Sequence, residues 1–379
     1  MKNLRVAIFT GNYAHIRDGV SLTLNRLVAH LESQNIPVLI FGPSCDYPAL
    51  RPKGEFLEIP SVALPLRTEY RISLYMPSTY EDRLKEFDPT IIHIASPDFL
   101  GMWALRYAKK HDIRVVSSYH THFPNYLKYY KLNAFEPLVW KYLKWFYGSC
   151  DRLFVPSQSM LETLRKNDLK HGLEIWSRGV DTERFNPGHR SDDWRKTFGI
   201  RKEDVVVLFL SRLVWEKDLG TVIEVGNHLL RKYDHVRILI GGEGPARREM
   251  QRRLPGAIFT GFVGGIDLYR VYANSDLFFF PSETETFGNV TLEALSSGVP
   301  AVVAKAVGSS SIVKDGENGF LVEPGDVAGF ETCLTKLITD GERRQKMAES
   351  ARNWAMKFKW EKVMDKLVGD YQTLLDNWE

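Results

Sequence analysis

Residues 276–304 read DLFFFPSETETFGNVTLEALSSGVPAVVA, and the order of residue types within them decides the class of fold. An aromatic run at 276–280 passes into a polar loop, and Phe287-Gly288-Asn289 then opens a helix. A second apolar run follows at 301–304. Neither run alternates with polar residues, so both strands are expected to be covered on two faces, as in a parallel sheet under helices.

The same alternation extends in both directions. Around this stretch, strands are expected at 205–210 (VVVLFL), 236–240, 257–261 and 319–322, with helical stretches between most of them. Earlier in the chain they are expected at 5–9, 38–41, 91–95, 114–119 and 152–156. Leu24, Leu27, Val28 and Leu31 show the i, i+3, i+4, i+7 spacing of an amphipathic helix. The pattern is thus α/β, and it occurs twice. Gly, Pro and charge collect in GVDTERFNPGHRSDD (179–193), which reads as a connector. We place the first domain at 1–185 and the second at 186–357. In the tail, Trp360, Val363, Met364, Leu367, Tyr371 and Leu374 share one helical side, so 358–379 is expected to return to the first domain.

A chain of 379 residues with 44% apolar and 26% charged residues has room for two packed cores, which excludes collagenous, coiled-coil and disordered classes. Cys45, Cys150 and Cys333 are odd in number and far apart. They suit a reducing, cytoplasmic compartment and neither a disulfide framework nor a zinc site. MKNLRVAIFT reads as a first strand, not an export signal, and no apolar run approaches the roughly 20 residues of a membrane span. Residues 1–180 hold 23 Lys and Arg against 17 Asp and Glu. That bias is too weak for nucleic-acid binding, but it leaves room for anionic lipid or a phosphate-bearing ligand.

Open parallel sheets bind ligands beyond the carboxyl ends of their strands, so the loops there come first. TGNYAHIRDGV (10–20) has its glycines at 11 and 19, which is not a dinucleotide fingerprint. Gly19 either lets a phosphate approach a helix start or belongs to a plain turn. SRLVWEKD (211–218) puts Arg212 and Lys217 five apart at a strand end, where two cations would stabilise a diphosphate leaving group. Glu285 and Glu293 bracket the helix start at Gly288 and Asn289, a spacing that would span a sugar, a phosphate and a ribose. SSYHTHFPNY (117–126) delivers His120 and His122 on one side of a strand end. Metal ligation needs a third ligand that is not apparent, which leaves substrate contact or a structural role. FTGFVGG (259–265), with Phe262 and Val263, can edge a nucleobase or simply turn, and GGEGP (241–245) is weaker still.

Taken together, Gly19, Arg212 with Lys217, and Glu285-x7-Glu293 within ETFGNVTLEALSSGVP resemble the retaining nucleotide-sugar glycosyltransferases of the GT-B fold, family 4, over nearly the whole chain. DGVSLTLNRLVAHLE, HIASPDFLG, SYHTHFPNYL and RGVDTERFNP further resemble the branch that holds GDP-mannose-dependent mannosyltransferases and sulfoquinovosyl transferases. The resemblance implies two Rossmann-like, doubly wound domains facing a central cleft, and a catalytic set of His120, Arg212, Lys217 and Glu285. It implies that Arg212 and Lys217 hold the donor diphosphate, Glu285 the sugar hydroxyls and Glu293 the ribose. Gly288, Asn289 and Phe287 would meet the donor through backbone, with Phe262 and Val263 by the base, Gly19 by the diphosphate and His120 by the anomeric centre. Ser211 stands where the family commonly has Gly, and Asp18-Gly19 where it has Gly-Gly.

Asp-x-Asp, the usual metal-bridging device for nucleotide sugars, does not occur in the sequence, so a metal-independent reaction without cofactor is expected. The expected donor is GDP-mannose, with a UDP-sugar as the other candidate, and the expected acceptor is a lipid or glycan hydroxyl. Between Phe123 and Tyr147 lie ten aromatics and four lysines against one acid, a mixture suited to an anionic membrane surface or to a buried helix beside a cleft. A sugar-nucleotide-binding protein without transfer activity and a nucleotide-sugar epimerase are the competing functions.

Overall fold

The computed structural model describes residues 4–64, 67–120, 133–285 and 287–377. They fall into two units, Met1–Ser177 with Val363–Glu379, and Arg178–Lys362.

The first unit contains β1 (Val6–Phe9), β2 (Val38–Pro43), β3 (Glu55–Ile59), β4 (Val62–Leu64), β5 (Arg67–Ile72), β6 (Ile91–Ile94), β7 (Arg114–Ser118), β8 (Arg152–Val155) and β9 (Leu173–Ile175). Seven of these form a parallel sheet in the order β3-β2-β1-β6-β7-β8-β9, while β4 and β5 make an antiparallel pair. Val6 lies opposite both Val38 and Ile91, so β1 is central, and all four of its residues are buried. The helix Gly19–Ser33 packs against β2 and buries Leu24, Leu27, Val28 and Leu31. The strands missed in the sequence are β3, β9 and the β4–β5 pair. β3 and β9 are the sheet's edges, where one side needs no apolar cover. β3 accordingly exposes Glu55 and Glu58 and carries no continuous apolar run.

In the second unit all six expected strands form: β10 (Val205–Leu210), β11 (Val236–Gly241), β12 (Ile258–Gly261), β13 (Leu277–Phe280), β14 (Ala301–Ala304) and β15 (Gly319–Val322). They are parallel, in the order β12-β11-β10-β13-β14-β15. β10 and β13 are buried throughout, and Phe209 stacks on Phe280 at 5.7 Å. Residues 178–190 pack within this unit: Val180 N donates to Phe358 O, and Phe185 meets Tyr269 edge-on at 4.9 Å.

The helix Trp360–Asp376 buries Val363, Met364, Leu367, Val368, Tyr371, Leu374 and Leu375, and from Val363 onward it groups with the first unit. No helix among the described residues is long and apolar enough to cross a membrane.

Candidate active site

In the second unit the strand order reverses between β10 and β13, so the loops leaving these two strands diverge and open a crevice at their carboxyl ends. Beyond β10 come Arg212, the short 3₁₀ turn Trp215–Lys217 and the helix Leu219–Lys232. Beyond β13, residues 281–288 lead into the helix Asn289–Ser296. Lys217 spans the crevice: its Nζ lies 2.6 Å from Glu285 Oε1 and donates to Thr284 Oγ1 at 3.0 Å. The Lys217 and Glu285 side chains are only 12% and 27% exposed, so their attraction is less screened than that of a surface pair. Arg212 is different. Its side chain is 75% exposed and pairs with Glu216 four residues on, a surface ion pair of little worth, about 0–1 kcal/mol. The structure thus joins Lys217 to Glu285 and leaves Arg212 on the rim.

Gly288 caps the helix in the left-handed region (φ +93°), with no side chain bonded to the helix end. Gly308 allows the loop to close: a Cβ there would stand 2.6 Å from Glu285 O, and its own N–H donates to that carbonyl. Among the described residues, the N–H groups of Gly288 and Asn289 meet no acceptor, so the helix start can receive an anion. Phe287 is buried in the core, which leaves only its backbone to a ligand. Glu293, one turn into the helix, accepts a hydrogen bond from the buried Tyr272 hydroxyl at 2.9 Å. Burial first, and then Glu293 itself, push the Tyr272 phenol well above its usual range, so it remains a donor. Nothing in the spacing of the sequence pointed to Tyr272 or Thr284.

Phe262 and Val263 follow β12, two strands from β10 and therefore about 10 Å across the sheet. Phe262 is 81% exposed. The GGEGP loop supports the Arg212 segment, with Leu213 N donating to Glu243 O and Ala246 N to Leu213 O.

The first unit reverses strand order between β1 and β6, and here too the diverging loops enclose space: a cavity of about 570 Å³ lined by Asn12, Asp18, Arg71, Asp98, His120 and Tyr147, among others. The two loops are tied together. Gly11 N donates to Ser96 Oγ at 2.7 Å, and Ser96 Oγ donates to Asp98 Oδ2 at 2.9 Å. Asp98 Oδ1 accepts Gly101 N at the start of the helix Phe99–Lys110. Burial pushes the Asp98 carboxyl above its ordinary range, with these hydrogen bonds opposing. Asp18 accepts from Asn12 Nδ2 and from Ser21 N, both at 2.8 Å, and so caps the Gly19–Ser33 helix. The Asp18 carboxylate therefore occupies the helix end beside Gly19, where a Cβ would meet nothing within 4 Å. His120 follows β7, with Nε2 2.8 Å from Ser118 Oγ and its ring edge-on to Trp176. His122 lies outside the described residues. Among the described residues, no group of three or more His, Cys, Asp or Glu is placed to hold a metal ion.

Two family models divide the chain between them. The one described as Glycosyltransferase Family 4 matches residues 17–184, and the one described as Glycosyl transferases group 1 matches 190–354. A GDP-mannose-dependent alpha-mannosyltransferase of Corynebacterium glutamicum is 30% identical over 99% of this chain and 90% of its own length. The chain belongs to the family 4 glycosyltransferases. Sulfoquinovosyl transferase SQD2 of Arabidopsis thaliana is 34% identical to this glycosyltransferase over 81% of the chain, which corresponds to 61% of SQD2. Among solved structures, sucrose-phosphate synthase from Thermosynechococcus elongatus aligns with a TM-score of 0.78 at 16% identity, covering 99% of this chain and 100% of that one. The fold of the glycosyltransferase is accordingly GT-B, and its donor is a nucleotide sugar.

Proposed function

We propose that this glycosyltransferase moves a hexose, mannose from GDP-mannose in preference to a UDP-sugar, onto a hydroxyl of a lipid or glycan, with retention and without a metal. The observation that carries this reading is the Lys217–Glu285 pair beside an uncapped helix start. When the donor arrives, its diphosphate competes for Lys217, Arg212 and the N–H groups of Gly288 and Asn289. Glu285, released from Lys217, accepts hydrogen bonds from the sugar. Glu293, oriented by Tyr272, takes the ribose hydroxyls, and the backbone at Phe262 and Val263 borders the base. As the bond from the anomeric carbon to the phosphate oxygen breaks, negative charge gathers on the diphosphate, where the cations and the helix end offset it. The acceptor oxygen attacks from the same face, and its proton passes to the departing phosphate oxygen. His120 is assigned to the sugar's reacting carbon by family resemblance alone.

GDP-mannose is favoured because the relative of 30% identity carries that donor in its name. The first unit's cavity, with its carboxyl, amide and hydroxyl groups, suits a polyhydroxyl acceptor. A lipid-borne acceptor is favoured by the helix Glu136–Tyr147, which exposes Leu138, Lys141 and Trp145 on one stripe next to exposed Phe135. Residues 121–132 of the aromatic segment lie outside the described residues. We assign the enzyme to the cytoplasm, with this stripe against the inner face of the membrane.

The test is incubation with labelled GDP-mannose or UDP-glucose, with and without extracted membrane lipids and with a chelator present. Transfer to lipid that needs the acceptor and withstands the chelator is expected. Conversion of the donor alone marks an epimerase, and binding without turnover marks a binding protein. Flotation with anionic vesicles tests the membrane stripe.

A further inference from the structure

The C-terminal helix reaches His120 through a line of buried side chains. Tyr371 is fully buried, and its hydroxyl lies 2.5 Å from His93 Nδ1. His93, fully buried on β6, places Nε2 2.8 Å from Ser118 Oγ, which in turn lies 2.8 Å from His120 Nε2. With His93 and Ser118 each donating once and accepting once along it, such a line has two senses. In one, Tyr371 donates to His93 Nδ1, His93 Nε2–H donates to Ser118, and Ser118 donates to His120 Nε2, so that a neutral His120 carries its proton on Nδ1. In the other, every bond reverses and the Tyr371 O–H is left without an acceptor, because His93 is its only hydrogen-bond partner among the described residues. A buried hydroxyl with no acceptor forfeits its hydration without return, so the first sense prevails. Burial supports both inner members: it holds the Tyr371 phenol well above its usual range and lowers the His93 imidazole to about 3, which keeps His93 neutral.

We propose that Tyr371, acting through His93 and Ser118, is a positioning residue that holds His120 as the neutral Nδ1–H tautomer, making it a hydrogen-bond donor to substrate instead of a base at Nε2. Protonation of His120 at Nε2 would require the Ser118 hydrogen to turn away from His120, either with the whole line reversed or with Ser118 accepting from both rings and its own hydrogen left without an acceptor. The other charged or titratable groups lining the same cavity are Asp18, Asp98, Arg71, Tyr70 and Tyr147. The two acids favour an imidazolium, while Arg71 and the Tyr371 line oppose it. Phe154 and Trp176, the remaining rings against His93, carry no charge. The proposal rests on His120 meeting substrate, as assigned above.

Long-range ¹⁵N–¹H correlation spectra of histidine-labelled enzyme report each tautomer directly. The wild type is expected to show His120 with its proton on Nδ1. In Tyr371→Phe the bias disappears, so the His120 titration and the acid limb of kcat/KM should both move to higher pH by about one unit. In a Ser118→Ala background, where the line is cut, the same Tyr371→Phe change should move neither. A wild-type His120 protonated on Nε2 overturns the proposal, with no variant needed. So does an unmoved titration in a Tyr371→Phe protein whose circular dichroism is native. If the spectra agree but His120→Ala keeps full kcat, the line stands and the substrate assignment of His120 falls.

Discussion

The two units repeat one topology and finish it with opposite chemistry. In each, the central strand is followed by a helix capped by an aspartate: Asp18 after β1 and Asp218 after β10. The difference lies one strand over, at β6 and β13, which hold the same place in their sheets. After β6 the helix start is closed by the Asp98 carboxylate. After β13 it begins at Gly288 with no side-chain cap, beside an ammonium group. A helix end attracts negative charge, and the first unit has satisfied its end internally while the second has no side chain there. The sheet topology supplies two crevices, and on the function proposed above it is the uncapped one that takes the diphosphate.

Removing the ammonium group should break this contrast most severely. Lys217→Ala deprives the developing leaving-group charge of its enclosed partner, and steady-state kinetics should show kcat lower by on the order of 10²–10³-fold. Arg212→Ala, on the rim, should cost less. Equal losses would mean that enclosure does not distinguish the two cations. Next in size is the cap itself. Gly288→Asp gives the second unit a carboxylate like the first, and Gly288→Asn tests the same left-handed position without charge. Donor KM should be roughly fivefold higher in the Asp variant than in the Asn variant, in keeping with about 1 kcal/mol for an added negative charge competing at a helix start. Identical KM values would place the diphosphate elsewhere.

The contrast was half visible in the sequence. VVVLFL, LFFF and AVVA announce strands because a central parallel strand must be apolar on both faces, and the Glu285–Glu293 spacing is local to one loop and helix. Edge strands β3 and β9 carry no such constraint. The Lys217–Glu285 pair joins residues 68 apart, and the Tyr371–His93 contact residues 278 apart, so neither can be read from spacing. The caps were in plain view as Asp18 and Asp98, but an aspartate before a helix looks the same whether it closes a binding site or borders one. Only the strand order reveals that Asp98 and Gly288 are counterparts.

A smaller effect sharpens the role of the second helix. Glu293→Ala removes a charged acceptor for the ribose, so donor KM should rise by an amount corresponding to about 1–3 kcal/mol while kcat changes little. Tyr272→Phe, which removes only the neutral hydrogen bond orienting Glu293, should raise KM less. A fall in kcat without a change in KM for Glu293→Ala would shift that residue from the ribose to the reacting sugar.

The smallest expected effect concerns the closed helix end. Burial raises the Asp98 carboxyl above its unfolded value of 3.8, so the folded chain holds that proton more tightly than the unfolded one. The stability this contributes is complete below the unfolded pKa and is lost as pH climbs through the folded one. Asparagine has no such dependence. The Tm of the wild type minus that of Asp98→Asn should therefore fall as pH rises from about 4 toward neutrality, a trend that differential scanning calorimetry can follow. A difference that stays flat would mean that Asp98 titrates as it does in the unfolded chain. A difference that grows with pH would mean that its hydrogen bonds from Gly101 and Ser96 outweigh burial. In that case the first unit's helix end holds a full negative charge, and its contrast with the open end at Gly288 is stronger than burial alone implies.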